Sequence, residues 1–264
     1  MRSSKPPAPR LAPFRALSCR LVPPGWARTR LEGKSECSRQ ENTEDGWYFD
    51  VMAMRVQVVD HPLVAHKLTQ LRRVETTSNV FRQLTKELVT LLSYEASGSI
   101  ATESVEITTP VASTVGTKLA SPTPLVVPIL RAGLGMLEGM TAMIPTAEVG
   151  FLGMARNEQT LDIITYAERL PDDLTGRHVF VLDPMLATGG TLAEAIRFLK
   201  NANAEKITCI CILAAPEGIE RLREGVGDID AELYLAAIDE RLDERAYIVP
   251  GLGDAGDRLY GLAE

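Results

Sequence analysis

The chain has 264 residues, 45% of them apolar, and a formal net charge of −7. That length suits one sizeable α/β domain or two small ones, and no apolar run approaches the roughly 20 residues that span a bilayer. Nineteen of the 28 Lys and Arg and 29 of the 35 Asp and Glu lie beyond residue 53, a net of −10 there. So acidic a body opposes general nucleic-acid binding, which depends on neutralising phosphates, but leaves room for a small basic pocket.

Residues 1–31 carry six Arg, one Lys and no acid, without helical or strand periodicity. Too little apolar surface is present to order such a stretch. Residues 1–53 are therefore read as a disordered leader, and residues 54–264 as the folded domain. The leader has three explanations: a start assigned too early (Met52 and Met54 stand just before the first patterned segment), an Arg-rich transit peptide, or a tail with a partner. A secretory signal lacks the required apolar core.

From Met54 the pattern becomes regular. VQVVD opens the domain. LVAHKLTQLRRV and NVFRQLTKELVTLLSYEA are predicted helices, the second with Phe81, Leu84, Leu88 and Leu91 on one stripe and Thr77 or Ser78 as cap. SVEITTPV alternates like a short strand, and TKLASPTP reads as a loop. PLVVPIL (124–130) is an apolar strand, and GLGMLEGMTAMI a helix with Met136, Met140 and Met143 packed into the core. AEVGFLGM (147–154) is a strand, LDIITYAERLP an extended arm, and HVFVLD (178–183) a buried strand. The helix TLAEAIRFLKNA, the strand KITCICILAA, the helix GIERLREGV and the strand ELYLAAID complete the order. Cys209 and Cys211 share one strand face as small hydrophobes; with no further Cys or His nearby to complete a ligand set, a reduced cytoplasmic chain fits best. Alternating strands and helices predict an α/β fold, a mostly parallel sheet flanked by helices, with ligands beyond the strands' carboxyl ends.

Three segments occupy such ends. VFVLDPMLATGGT (Val179 to Thr191) runs from a strand through Thr188, Gly189 and Gly190 to a helix start. Glycines admit an anion to the backbone, and the helix N-terminus adds free N–H donors and partial positive charge. The plainer reading is a Gly-Gly turn capped by Thr. No Walker lysine is present, which disfavours a P-loop nucleotidase. Asp183 could accept hydrogen bonds from vicinal ribose hydroxyls, or merely end the strand. Arg131 follows PLVVPIL and Arg156 follows AEVGFLGM. Arginine matches phosphate oxygens bidentately, although either residue alone would more often be an ion-pair partner. The tail YIVPGLGDAGDRLYG contains GLGDAG, which fits the dinucleotide pattern G-x-G-x-x-G. Only eight residues follow Gly256, so no second strand of a βαβ unit can form and the dinucleotide reading fails.

VFVLDPMLATGGT resembles the PRPP-binding signature of type I phosphoribosyltransferases, with Pro184 where many relatives carry a second acid. Together with PILRAGLGM and YIVPGLGDAGD it resembles the uracil phosphoribosyltransferases, over about residues 54–264. That resemblance implies the type I fold with a C-terminal base-recognition loop, and conversion of uracil and PRPP to UMP and pyrophosphate with Mg²⁺. It implies that Asp183, Pro184, Met185, Leu186, Ala187, Thr188, Gly189, Gly190 and Thr191 hold ribose and its 5′-phosphate. Arg131 and Arg156 would then take the pyrophosphate end. Uracil would be read near Ile248 and at Gly253, Asp254 and Ala255. Asp254 would also reach PRPP or its magnesium shell and is the candidate for any general base, while Arg131 is the expected catalytic cation. The metal ligands stay unassigned. The arm around Tyr166 implies a homodimer or higher homo-oligomer, and GTP is a possible allosteric ligand. No nucleic acid or membrane partner is expected. His61, His66 and His178 lie outside the three segments. Purine or orotate specificity, and a non-catalytic sensor of PRPP or UMP that binds RNA, are the competing readings.

Overall fold

A strand without a polar face must be covered on both sides, and the run Leu125–Leu130 takes a central place in a parallel sheet. The computed structural model describes residues 54–156, 163–227 and 229–261. The expected leader, residues 1–53, lies outside the described residues.

In chain order the elements are β1 (Met54–Val58), α1 (Pro62–Arg72), α2 (Ser78–Ala96), β2 (Thr102–Thr108), β3 (Ser113–Leu119) and β4 (Leu125–Leu130). A 3₁₀ turn (Ala132–Met136) leads into α3 (Leu137–Met143), followed by β5 (Glu148–Val149), β6 (Phe151–Arg156), β7 (Ile163–Arg169), β8 (His178–Leu182) and β9 (Met185–Leu186). Then come α4 (Gly190–Asn201), β10 (Lys206–Ala214), α5 (Pro216–Val226), β11 (Ala231–Ile238), β12 (Arg241–Leu242), β13 (Ile248–Val249) and α6 (Ala255–Tyr260). The main sheet runs β1-β11-β10-β8-β4-β6-β7. Its pairings are parallel except β6 with β7. The expected α/β architecture holds.

Side chains of one strand divide between two cores because successive residues face opposite ways. Cys209 and Cys211 join the cluster containing Leu192, Ile196, Leu199 and Leu222 from α4 and α5. Ile210 and Ile212 join the opposite cluster with Leu71, Phe81, Leu92, Met140 and Leu259. Both thiols are free and buried, as a hydrophobic role requires. Burial pushes the Cys209 and Cys211 pKa values up, so neither is a reactive thiolate.

Several local readings shift. TKLASPTP is only partly a loop: its first three residues end β3, which pairs antiparallel with β2. Nearly every position of this hairpin is exposed, so burial imposes no pattern on it. AEVGFLGM breaks at Gly150, where a Cβ would stand 2.4 Å from Leu170 Cδ2. The α2 stripe is Phe81, Leu88, Val89 and Leu92, with Leu84 and Leu91 at its margin. Thr77 is the cap of α2, but its hydroxyl reaches Asn79 Oδ1 rather than a backbone N–H. Met136 and Met140 are fully buried and Met143 packs beside them. The described part of the arm is β7, an edge strand laid against β6 with a bulge at Gly153/Met154.

Candidate active site at the carboxyl ends of the strands

Because β4, β6, β8, β10 and β11 run parallel, the residues that follow them gather along one edge. Asp183 follows β8, and its N–H donates to Ile210 O at 3.2 Å. Pro184 O accepts from the N–H groups of Ile212 and Leu213 at 2.9 and 3.1 Å. Met185 and Leu186 pair with β10, and Ala215 N–H donates to Leu186 O at 3.0 Å. The segment is thereby strapped to β10 before it turns at Ala187 and Thr188 into α4. Pro184 and Leu186 are buried, so their side chains serve packing; Met185, Ala187, Thr188, Gly190 and Thr191 are half-buried.

The turn has a steric cause that no local sequence pattern contains. Gly189 lies at φ +77°, and a Cβ there would stand 2.4 Å from Gly218 O. A Cβ on Gly218 would stand 2.2 Å from Ala187 O. Two backbones from α5 and the loop thus meet where only glycines fit. The first N–H groups of α4 have no intrahelical partner, and the helix carries about half a positive charge at that end. Among the described residues, the Thr188 and Thr191 hydroxyls have no hydrogen-bond partner. A helix start with such free donors can receive an anion.

Asp183 retains partial solvent access as a residue, yet protein surrounds its carboxyl group, which lies near Cys209 and Cys211. Burial pushes its pKa up to about 7, against the opposing pull of the Met185 N–H. Protonation turns one of its two acceptor oxygens into a donor, so the ionised form is the fuller acceptor for a pair of hydroxyls.

Arg131 follows β4 through a cis Leu130–Arg131 peptide. Its side chain is exposed and, among the described residues, has no ion-pair partner. The turn after it lies flat on β8, because a Cβ on Gly133 would stand 2.3 Å from Leu182 O. That approach brings Arg131 and Asp183 to adjoining loops. Arg156 is the last residue of β6, the strand beside β4.

The C-terminal segment closes the same edge. Ile248 pairs with Leu242, the Val249–Pro250 peptide is cis, and Gly253 lies exposed at φ +81°. Asp254 caps α6, its Oδ1 accepting from Asp257 N–H at 2.8 Å, while Ala255 is buried. GLGDAG therefore does open a helix, but one of six residues and the last described element. α6 rests on the Arg131 turn: a Cβ on Gly135 would stand 2.6 Å from Leu259 Cδ1. Tyr260 Oη donates to Arg131 O at 3.0 Å. Burial raises the Tyr260 pKa, with the Arg131 charge and the Gly135 N–H opposing. The loop after β8, the Arg131 turn and the C-terminal segment thus adjoin one another, while the residues that follow Arg156, 157–162, lie outside the described residues.

Residues 58–262 match the family described as uracil phosphoribosyltransferase. The chain belongs to the uracil phosphoribosyltransferase family. It is 72% identical over 210 residues to a uracil phosphoribosyltransferase of Pseudarthrobacter chlorophenolicus, a match covering 80% of this chain and all of the relative. The corresponding protein of Paenarthrobacter aurescens is 71% identical over 210 residues, with the same coverage. Among solved structures, the AQ2163 protein from Aquifex aeolicus is 42% identical with a TM-score of 0.74, covering 79% of this chain and 99% of that one.

Within this uracil phosphoribosyltransferase family member, several supporting residues escaped the sequence reading. Gly218 shapes the Thr188–Gly190 turn from α5, and Tyr260 holds the Arg131 turn. Arg258 ties α6 to the α1–α2 junction. It donates to Leu71 O and Leu252 O at 2.8 and 2.9 Å, and to Arg73 O at 2.6 Å. Its guanidinium also lies 4.5 Å over the Phe81 ring. Their partners are distant in sequence, so spacing held no signal for them. His61 caps α1, and His178 begins β8 at the opposite end, bonded to Thr208 at 2.8 Å.

Proposed function

We propose that this chain transfers the 5-phosphoribosyl group of PRPP to uracil, forming UMP and releasing pyrophosphate, in pyrimidine salvage. The observation that carries the reading is the convergence of the α4 cradle, Arg131 and the Gly253–Ala255 loop at one sheet edge, in a chain of this family. The catalytic unit in this reading is residues 54–264.

The α4 N-terminus with Thr188 and Thr191 holds the 5′-phosphate, and the Asp183 carboxylate accepts from the ribose hydroxyls. As the bond from C1 to the pyrophosphate oxygen lengthens, positive charge grows on the ribose ring and negative charge on the leaving group. Arg131, joined by Arg156, stabilises the leaving pyrophosphate. Backbone groups near Ile248 and from Gly253 to Ala255 hold the flat base with its nitrogen aligned on C1. Asp254 faces the PRPP side of that loop and is the candidate to receive the base proton; its Oδ1 is committed to the cap of α6.

Enzymes of this family use Mg²⁺ with PRPP. Among the described residues, no group of three or more His, Cys, Asp or Glu gathers to hold a metal ion. That donor set fits an ion carried chiefly by substrate phosphate and ribose oxygens, the usual manner for magnesium, with Asp183 and Asp254 the carboxylates that would complete its shell. When bound, the ion neutralises charge on the departing pyrophosphate.

Uracil presents a donor at N3 and an acceptor at C4; cytosine presents the reverse. A rigid backbone site leaves a buried polar group unpaired against the wrong base, and discrimination of that kind reaches about 10⁴-fold. Purified enzyme assayed with each base and saturating PRPP is expected to turn cytosine over at least about 10³-fold less efficiently. Comparable turnover of the two bases would refute the assignment of uracil.

We further propose a cytoplasmic homo-oligomer. Tyr166 on the edge strand β7 is 55% exposed, and Val111 and Val115 of the hairpin are exposed as well, apolar surface suited to a second copy. Two free buried thiols fit a reducing compartment. No helix of the described residues is long and apolar enough to cross a membrane.

A further inference from the structure

We infer that Arg72 and Asp239 are positioning residues of the base site, an ion pair that fixes the peptide frame from which uracil is read. Asp239 follows β11, is 8% exposed, and donates its N–H to Ala214 O at 2.8 Å. Its Oδ1 accepts from Arg72 Nη2 at 2.5 Å, and its Oδ2 from Arg72 Nη1 at 2.7 Å. The same Oδ2 accepts the Gly251 N–H at 2.9 Å. Arg72 Nη1 in turn donates to Gly251 O at 2.8 Å. One ion pair therefore holds both the N–H and the carbonyl of Gly251.

Gly251 has no slack of its own. It lies at φ +62°, and a Cβ there would stand 2.0 Å from Ile248 O. It sits between Ile248 and Gly253, the residues assigned to the base. Glu240 N–H donates to Val249 O at 3.0 Å on one side, and Arg258 Nη1 to Leu252 O on the other. The segment 248–253 is thus pinned at successive peptides, and the Arg72–Asp239 pair is the pin nearest its middle.

A buried ion pair adds less to net stability than its contacts suggest, because desolvation offsets the attraction, but a well-formed pair selects one geometry. The guanidinium fork matches a carboxylate in one plane, which a lysine ammonium cannot reproduce. A base read by backbone groups depends on their directions being set before it arrives. PRPP, by contrast, is held chiefly by β8, α4 and the Arg131 turn, to which the pair makes no hydrogen bond, and Asp254 is fixed separately by its cap on α6. The pair should therefore govern affinity for the base and choice of base, and leave the PRPP half intact.

The test rests on the uracil-transfer reading and separates the two. Steady-state kinetics of the parent, Arg72→Lys and Asp239→Asn are measured with uracil and PRPP varied in turn, alongside melting temperatures and PRPP binding. Arg72→Lys keeps the charge without the fork, and Asp239→Asn keeps an acceptor for Gly251 N–H without the charge. Each is expected to raise KM for uracil about tenfold or more, the scale of a lost charge-assisted hydrogen bond. KM and Kd for PRPP should stay near the parent's, and the preference for uracil over cytosine should narrow. Arg72→Ala should exceed Arg72→Lys in the same direction. An unchanged uracil KM, or uracil and PRPP constants rising together, would overturn the inference while leaving the enzyme's function intact. A parent protein that forms no UMP would instead refute the uracil-transfer reading.

Discussion

Arg131→Ala is expected to lower kcat/KM by about two to three orders of magnitude, the usual cost of removing one group that stabilises transition-state charge. The melting temperature should stay within a few degrees of the parent's. The guanidinium is exposed and has no ion-pair partner among the described residues, so its loss removes little that holds the fold. The contacts that shape its turn are made by backbone: Arg131 O accepts from Tyr260 Oη and from Leu134 N–H. Alanine keeps both. Normal kinetics toward PRPP in a folded Arg131→Ala protein would remove the residue from the pyrophosphate site.

The second large effect concerns Asp183, where affinity and stability should move in opposite directions with pH. Burial holds its pKa in the folded, ligand-free protein at about 7, well above that of a free aspartate. Between the two values the unfolded chain has released a proton that the folded chain keeps. The ligand-free protein therefore loses stability as pH rises through this window and gains none above about pH 7. The ionised form offers both oxygens to the ribose hydroxyls, so PRPP binding should strengthen as pH rises from 6 to 8. Asp183→Asn removes the ionisation cost together with one of the two acceptor oxygens, which becomes an NH₂ donor. The variant should melt higher than the parent at pH 8, close to it at pH 5, and bind PRPP at least about tenfold more weakly. Its affinity should also lack the parent's rise between pH 6 and 8, apart from the titration of PRPP itself. Thermal melts and calorimetric titration at three pH values decide the matter; a parent and variant with parallel pH profiles would exclude Asp183 as the ionising group.

The candidate site was legible where its residues stand next to core strands. Asp183 ends a buried strand and a Thr-Gly-Gly turn follows five residues on, a strand–loop–helix pattern that places an acid and a set of free N–H donors at the carboxyl end of the sheet. Arg131 was legible because parallel strands oblige their carboxyl ends to share an edge, which sets the turn just past VVPIL beside the loop past VFVLD. The core strands were legible because both their faces are buried. The β2–β3 hairpin was half missed because almost none of it is.

What escaped was the scaffolding between segments. Gly218 reads as an ordinary residue in the first turn of α5, and Arg72 as the end of an amphipathic helix. Their importance lies in a 2.2 Å approach to Ala187 O and in a bidentate pair with Asp239. Neither leaves a periodic trace, since the partners are set by how the sheet closes. GLGDAG was the instructive case. Its spacing suggests a cofactor turn, but its glycines satisfy a different demand. Gly251 lies close against Ile248 O with its own N–H and carbonyl held by Asp239 and Arg72, and Gly253 adopts a left-handed backbone next to the helix that Asp254 caps.

The central claim is most directly tested by incubating the purified protein with labelled uracil, Mg²⁺ and PRPP and quantifying both products. The account predicts UMP and pyrophosphate in equimolar amounts, dependent on PRPP. Absence of UMP, or pyrophosphate release that does not track uracil consumed, would contradict it.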